Sequence, residues 1–170
     1  PASQEGRKKK FEEDVETWKA EVERIDKGCV NGEAIWAAPD FNDAAWKSMK
    51  VPGLMQEQDL PGFSGLVWFR KTIDIPAGWA GKDLILNLGV IDDNDFTYFN
   101  GIQIGHTEGW MAPRSYKIPK ELVKKGKAVI AVRVMDTGGT GGINGSPESI
   151  SLHLSDTEAI QLAGNWKYQV

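Results

Sequence analysis

The sequence predicts a mainly β protein, a β-sandwich or jelly roll with one N-terminal amphipathic helix. Between residues 65 and 105, apolar and polar residues alternate at period two over several short runs. Those runs are separated by Gly, Pro, Asn and Asp, the residues that build turns. After residue 28, helical periodicity all but disappears, as expected of sheets packed face to face.

Each element follows in order. Phe11, Val15, Trp18, Val22 and Ile25 recur at intervals of four, three, four and three, a single apolar stripe on a charged helix spanning 3–27. Gly28 is its expected C-cap. A solitary helix of this length is marginal in water, so the stripe must pack on a flank of the β domain or on a neighbouring domain. Residues 29–64 are irregular, with a loop at 59–65 rich in Gly and Pro.

The run 65–75 puts Val67, Phe69, Ile73 and Ile75 on one face and Arg70, Thr72 and Asp74 on the other, and Pro76 ends it. Leu84, Leu86 and Leu88 share a face of the next strand. Residues 95–99 lead into Asn100-Gly101, suited to a type I′ turn, and 102–105 return as the second arm of a hairpin. A loop at 106–113 displays Trp110 and Met111, 116–119 is a short strand, and 120–126 is a helical turn or tight loop. In 128–135, Ile130, Val132 and Val134 point inward. Five glycines crowd the segment 136–148. Ile150, Leu152 and Leu154 mark another one-faced strand, and 160–162 and 166–170 end the sequence. A last strand that runs to the final residue, and a start at Pro1 without an initiator methionine, read as an excised or processed chain.

The 170 residues suffice for one domain that buries roughly 70% of its unfolded surface. The single cysteine, Cys29, excludes a disulfide framework and a multi-cysteine zinc site, and is expected as a partly buried thiol. A net charge of −4 disfavours nucleic acid, since the basic cluster at 7–10 is followed at once by Glu12, Glu13, Asp14 and Glu16. No apolar run approaches the ~20 residues of a membrane span, and no signal peptide opens the sequence. No cofactor is expected.

Gly65-Leu66-Val67-Trp68-Phe69-Arg70-Lys71, the Ile-Pro at 75–76, the acidic stretch 92–95, the Phe-Asn-Gly turn at 99–101 and the Ile-Gly at 104–105 together resemble the galactose-binding-like jelly-roll domain. Phe41-Asn42-Asp43-Ala44-Ala45-Trp46 and Val51-Pro52 resemble the opening of such domains, where the Trp plugs one end of the barrel and the Val-Pro begins an edge strand. These domains accompany glycoside hydrolases of the β-galactosidase and β-glucuronidase kind, and a variant is inserted in bacterial sialate O-acetylesterases. Three features resemble that inserted variant: the Trp18-bearing helix, the loop Gly138-Gly139-Thr140-Gly141-Gly142-Ile143-Asn144-Gly145, and the exit Ile160-Gln161-Leu162-Ala163-Gly164-Asn165-Trp166-Lys167-Tyr168. The resemblance implies three segments: 1–28 linking from a catalytic domain outside this sequence, 29–158 as the sandwich, and 159–170 returning to that domain. It also implies a periplasmic or extracellular setting.

Neither the Gly-Asp-Ser nor the Asp-x-x-His block of the esterase family is present, so no catalytic residue is assigned. Gly142-Ile143-Asn144 matches only that family's Gly-x-Asn oxyanion block. His106 and His153 read as solvated or hydrogen-bonded side chains. The clustered carboxylates Asp92, Asp93, Asp95, Glu108, Asp136 and Glu148 support turn geometry, with a structural calcium as the alternative and no metal ligand set assigned. The glycine loop lacks the Gly-Lys-Ser/Thr of a phosphate cradle and leads into a strand, where a helix N-terminus would be needed.

The expected function is a non-catalytic accessory β domain of a sialate or carbohydrate O-acetylesterase that shapes the cleft of its partner, the catalytic domain of the same parent protein. By that resemblance Asp93, Asp95, Asn100, Trp110, Arg114, Asp136, Gly141 and Asn144 face the cleft or its ligand. The alternative is a stand-alone carbohydrate-binding module, or the sugar-binding domain of a family 2-like glycoside hydrolase, with acetylated sialic acid or another glycan as ligand. Trp110 would then stack on a sugar ring, unless it packs under its own turn. A third reading is a spacer or dimerisation surface with the helix stripe as its contact.

Overall fold

The alternating runs of the sequence form two facing sheets in the computed structural model, which describes residues 3–170. The helix α1 (Gln4–Arg24) precedes thirteen strands. They are β1 (Cys29–Val30), β2 (Glu33–Ala34), β3 (Lys47–Val51), β4 (Gly65–Ile75), β5 (Leu84–Asp92), β6 (Asn94–Phe99) and β7 (Ile102–Glu108), then β8 (Pro113–Ile118), β9 (Gly126–Asp136), β10 (Gly142–Asn144), β11 (Ile150–His153), β12 (Ala159–Gln161) and β13 (Gly164–Gln169).

One sheet has the order β3-β13-β4-β9-β6-β7. The other has the order β10-β5-β11-β12, with β8 also pairing with β5. Every pairing is antiparallel, and β4 and β9 run side by side over their full eleven residues, from Gly65 opposite Asp136 to Ile75 opposite Gly126. The core lies between the sheets. Val67, Phe69, Ile130, Val132 and Val134 come from one side, and Leu84, Leu86, Leu88, Ile118, Ile150 and Leu152 from the other. The inward faces read from the alternation are therefore the buried ones. Asn100 and Gly101 both take positive φ, +47° and +82°, as a type I′ turn requires.

The outer face of the six-stranded sheet is also covered, which the alternation did not indicate. Trp36, Ala37, Trp46, Trp68, Tyr98 and Ala131 form a second apolar cluster there, with Phe41 and Phe96 against it. Trp46 belongs to this cluster, edge-on to Trp36, instead of plugging the barrel end. Val51-Pro52 ends the edge strand β3 instead of beginning one. Arg70 crosses this layer, 2% exposed. It pairs with Asp43 at 2.8 Å and donates to the carbonyls of Trp36, Ala38 and Phe41. The segment 159–170 is part of the sandwich: β13 lies between β3 and β4, and Trp166 and Tyr168 are core residues.

Ser3 caps α1 by accepting from the Gly6 N–H, and the helix stops at Ile25. Gly28, expected as the C-cap, serves a different purpose: a Cβ there would run into the Trp68 indole, so glycine permits the close approach. The stripe lies against the β domain, but only partly. Val15, Trp18 and Val22 are half-buried, while Phe11 and Ile25 remain exposed. The firm attachment is Asp26, whose carboxylate accepts from Arg133 Nε at 2.6 Å, Trp68 Nε1 at 2.9 Å and the Gly28 N–H at 2.8 Å. Among the described residues, no helix is long and apolar enough to cross a membrane.

Candidate functional site

At one end of the sandwich, β5 passes into β6 through Asp92 and Asp93, the β7–β8 loop turns at 109–112, and the glycine-rich β9–β10 loop turns at 137–141. Arg114, on β8, binds these parts together. Its Nε donates to Asp95 Oδ1 at 2.8 Å, Nη1 to the carbonyls of Gly109 and Ala112 at 2.6 Å each, and Nη2 to those of Asp93 at 2.9 Å and Thr107 at 3.2 Å. A guanidinium has five N–H donors, so none remains for a ligand. Asp95 is fully buried and also accepts from Thr97 Oγ1 and the Tyr116 hydroxyl. Burial, together with the Asp95 carboxylate, pushes the Tyr116 phenol well above its ordinary range.

The glycine loop is held from inside. Asp136 is buried and accepts from the Gly138 N–H at 3.0 Å and Gln56 Nε2 at 2.7 Å. Gln56 Oε1 in turn accepts from the Gly141 N–H at 2.8 Å. A Cβ on Gly141 would sit 2.7 Å from Asp136 Cγ, so the loop can close over the carboxylate only with glycine at that position. Asp93 Oδ2 accepts from both the N–H and the hydroxyl of Thr137. Asn144 lies on β10 opposite Val90, half-buried, and its Nδ2 donates to the Gly142 carbonyl.

Asp92 and Asp93, adjacent and both half-buried, shift in opposite directions. Burial first, and then the Asp93 carboxylate, push Asp92 up to about 7. Burial alone would raise Asp93 too, but hydrogen bonds from Asp92 and Thr137 outweigh it and hold its carboxyl below the usual range. Burial also raises Asp136, partly offset by the Gly138 N–H. The sign of the Asp92 contribution follows from where each state holds the proton. Above the ordinary value of 3.8 the unfolded protein has released it, while the folded protein keeps it to about 7, so stability falls as pH rises through that window and then levels. Asp136 acts in the same sense. Asp93 contributes oppositely: its stabilisation is complete above its ordinary value and is lost as pH falls toward the depressed one. The urea midpoint of the native protein should therefore decline from about pH 4 to about pH 7 more steeply than that of Asp92→Asn. Equal slopes would mean that Asp92 does not hold the proton.

Of the eight residues expected to face a cleft, Asp93, Asp95, Arg114, Asp136 and Gly141 meet at this end with the loop that carries Trp110. Asp95, Arg114, Asp136 and Gly141 are buried, and their hydrogen bonds hold the loops of this end in place. Asn100 lies at the opposite end of β6, roughly 20 Å away at about 3.3 Å per residue. There its Oδ1 accepts from the Val129 N–H. Trp110 and Met111 are 59% and 69% exposed, so Trp110 does not pack under its own turn. The sequence reading gave no site role to Gln56 or Tyr116, and none to Thr137 beyond its place in the glycine-rich segment. Nothing in their local sequence marks them, because each acts through a contact distant in sequence.

The two histidines have partners of their own. His106 Nδ1 donates to the Asp95 carbonyl at 2.7 Å, and its ring stacks on Phe96. His153 Nε2 meets Ser151 Oγ at 2.7 Å, and its Nδ1 faces the Ser155 carbonyl where a triad would place a carboxylate. Among the described residues no three His, Cys, Asp or Glu side chains are grouped to hold a metal ion.

No family model matches the sequence. Solved structures similar to it include Bacteroides uniformis β-glucuronidase 2, at 21% identity and a TM-score of 0.55 over 78% of this protein and 15% of that one. A glycoside hydrolase family 2 β-glucuronidase matches at 22% identity and a TM-score of 0.53, over 58% of this protein and 12% of that one. The Ruminococcus gnavus β-glucuronidase has 25% identity and a TM-score of 0.48, over 52% and 16%. The match thus spans 12% to 16% of the length of these three enzymes. None of them supports an esterase parent. The likeness is one of fold: a β-sandwich of this kind forms part of these β-glucuronidases.

Proposed function

We propose that this protein is a non-catalytic, carbohydrate-related β domain of a larger hydrolase. In this reading it is of the sugar-binding kind that accompanies family 2-like glycoside hydrolases, and its Trp110 end makes the glycan contact. The observation that carries the reading is the presentation of Trp110. Five of the seven tryptophans are buried and Trp18 is half-buried, whereas Trp110 is 59% exposed on a loop whose flanking carbonyls are gripped by the buried Arg114. An apolar ring fixed in place before binding loses little conformational entropy on contact, as a stacking platform for a pyranose requires. The fold likeness to β-glucuronidases supports the carbohydrate setting. The unaccompanied Ser151–His153 contact supports a non-catalytic role.

A second reading, the accessory domain of a sialate O-acetylesterase outside the cytoplasm, rests on the sequence resemblance at 138–145 and 160–168. The same end would then face the esterase cleft of the parent protein. Calorimetric titration of the 170-residue protein with a β-glucuronide, a β-galactoside and an O-acetylated sialoside separates these readings. We expect a glycoside to bind and Trp110→Ala to weaken it at least ten-fold, since truncating an aromatic side chain that anchors a contact costs about 2 kcal/mol or more. Preference for the acetylated sialoside would favour the esterase setting. Silence with all three ligands would remove the glycan contact from the reading.

A further inference from the structure

Three Asn-Gly pairs occur in the sequence, Asn31-Gly32, Asn100-Gly101 and Asn144-Gly145, and the fold treats them differently. Asn-Gly is chemically the most vulnerable pair in a polypeptide, because glycine puts no side chain in the way of its own amide nitrogen. Whether the reaction proceeds depends on freedom: the asparagine amide must swing toward the next backbone nitrogen, and that nitrogen must be free to lose its proton.

Two of the pairs are restrained. Asn100 is closed into a ring with Val129, donating its N–H to the Val129 carbonyl and accepting the Val129 N–H on its Oδ1. A Cβ on Gly101 would lie 3.5 Å from Pro39 Cδ and 3.6 Å from Ala38 Cα, so the turn faces a neighbouring segment and not open space. Asn144 is a member of β10, paired with Val90, its Nδ2 donates to the Gly142 carbonyl, and a Cβ on Gly145 would run into Ser149. Asn31 has no such restraint. It sits with Gly32 at the tip of the β1–β2 hairpin, both residues exposed and both at positive φ, +51° and +81°. Nothing lies within 4 Å of the position a Gly32 side chain would occupy. Neither the Asn31 amide nor the Gly32 N–H meets a hydrogen-bond partner among the described residues.

We propose that Asn31 is a site of spontaneous covalent modification, deamidating through a cyclic imide to aspartate and isoaspartate. The Gly32 nitrogen attacks the carbonyl carbon of the Asn31 side-chain amide, and a new bond forms from nitrogen to carbon as the Gly32 amide proton passes to solvent base. The bond from that carbon to the amide Nδ2 breaks, and ammonia leaves with a proton from water. Water then opens the ring at either carbonyl. One opening restores the normal backbone with an aspartate, and the other routes the backbone through the side-chain carbons. Either product adds a negative charge beside Glu33. The isoaspartyl form also lengthens the backbone at a two-residue turn, so the register Cys29 opposite Ala34 and Val30 opposite Glu33 cannot be kept. The hairpin borders a hollow of about 550 Å³ lined by Glu33, Ala34, Pro39, Tyr98, Asn100 and Ile102, so the change alters that hollow as well.

The test is incubation of the folded protein at mildly alkaline pH and body temperature, followed by peptide mass spectrometry with fragmentation to place the amide-to-acid mass gain. We expect Asn31 to convert roughly ten-fold faster than Asn100 or Asn144, the factor that opening a retaining hydrogen bond imposes. The urea-unfolded protein should convert all three at similar rates. Asn31→Gln, with a longer side chain that forms the ring poorly, should abolish the early acidic species on charge-based separation. Conversion of Asn100 or Asn144 at the rate of Asn31 in the folded protein would overturn the proposal. Protection of Asn31 in the folded protein alongside reaction in the unfolded one would overturn it equally.

Discussion

Replacing Asp95 by Asn should destabilise the protein by about 3–5 kcal/mol, the usual cost of breaking a buried ion pair by removing one partner. Asp95 and Arg114 are both fully buried and 2.8 Å apart, so the change leaves a guanidinium without a counter-charge where water cannot reach it. The loss is large against the ~5–15 kcal/mol that holds a typical domain together. It also has a local consequence. Arg114 holds the carbonyls on both sides of Trp110, and a guanidinium that shifts in search of charge releases that loop. Urea unfolding should show a lowered midpoint with an unchanged slope, and protease cleavage near Trp110 should appear before global unfolding. Arg114→Met, which removes the charge but keeps an apolar stem, should cost less than Arg114→Ala. If Asp95→Asn were neutral, the pair would not be the fixture of this end of the sandwich.

The second large effect is at Asp26. Its carboxylate accepts from Arg133, Trp68 and the Gly28 N–H, while no residue of α1 itself is buried. Asp26→Ala should therefore lose about 3–5 kcal/mol for the unpaired Arg133 and detach the helix. A 21-residue helix without its anchor, and with part of its apolar stripe already wet, is marginal in water, so far-ultraviolet circular dichroism should lose helical signal while the sheet signal persists. Retention of the full helical signal would mean that Val15, Trp18 and Val22 suffice to hold α1.

The same contrast explains what could be read from the sequence. The alternation in β4, β5 and β9 set both the strands and their inward faces, because a period-two pattern is a local property that burial between two sheets enforces. It said nothing of the outer layer. In the run Leu66 to Arg70 every residue is buried, so the pattern there is nearly continuous and Arg70 reads as a solvent-facing charge. The charges that matter most find partners far away in sequence: Asp26 and Arg133 are 107 residues apart, and Gln56 and Asp136 are 80. No local spacing encodes such pairs. At the candidate site the polar residue types suggested exposure, whereas Asp95, Arg114 and Asp136 are buried and hold the loops beside the displayed Trp110. Trp110 was legible as a loop aromatic, but its exposure depends on the contacts of Arg114. The short hairpin at 29–34 was missed because two-residue strands carry no periodicity.

The most direct test of the glycan-contact account is a titration followed by the indole N–H signals in nuclear magnetic resonance. The seven tryptophans give seven probes, five of them enclosed in the two apolar clusters. On addition of a β-glucuronide or β-galactoside to the intact protein, the account predicts that the Trp110 signal moves in a saturable way. The five enclosed indoles should stay in place, and the movement should vanish in Trp110→Ala. A saturable shift confined to another indole, or no shift with any glycan while the Trp110 signal remains sharp, would contradict it.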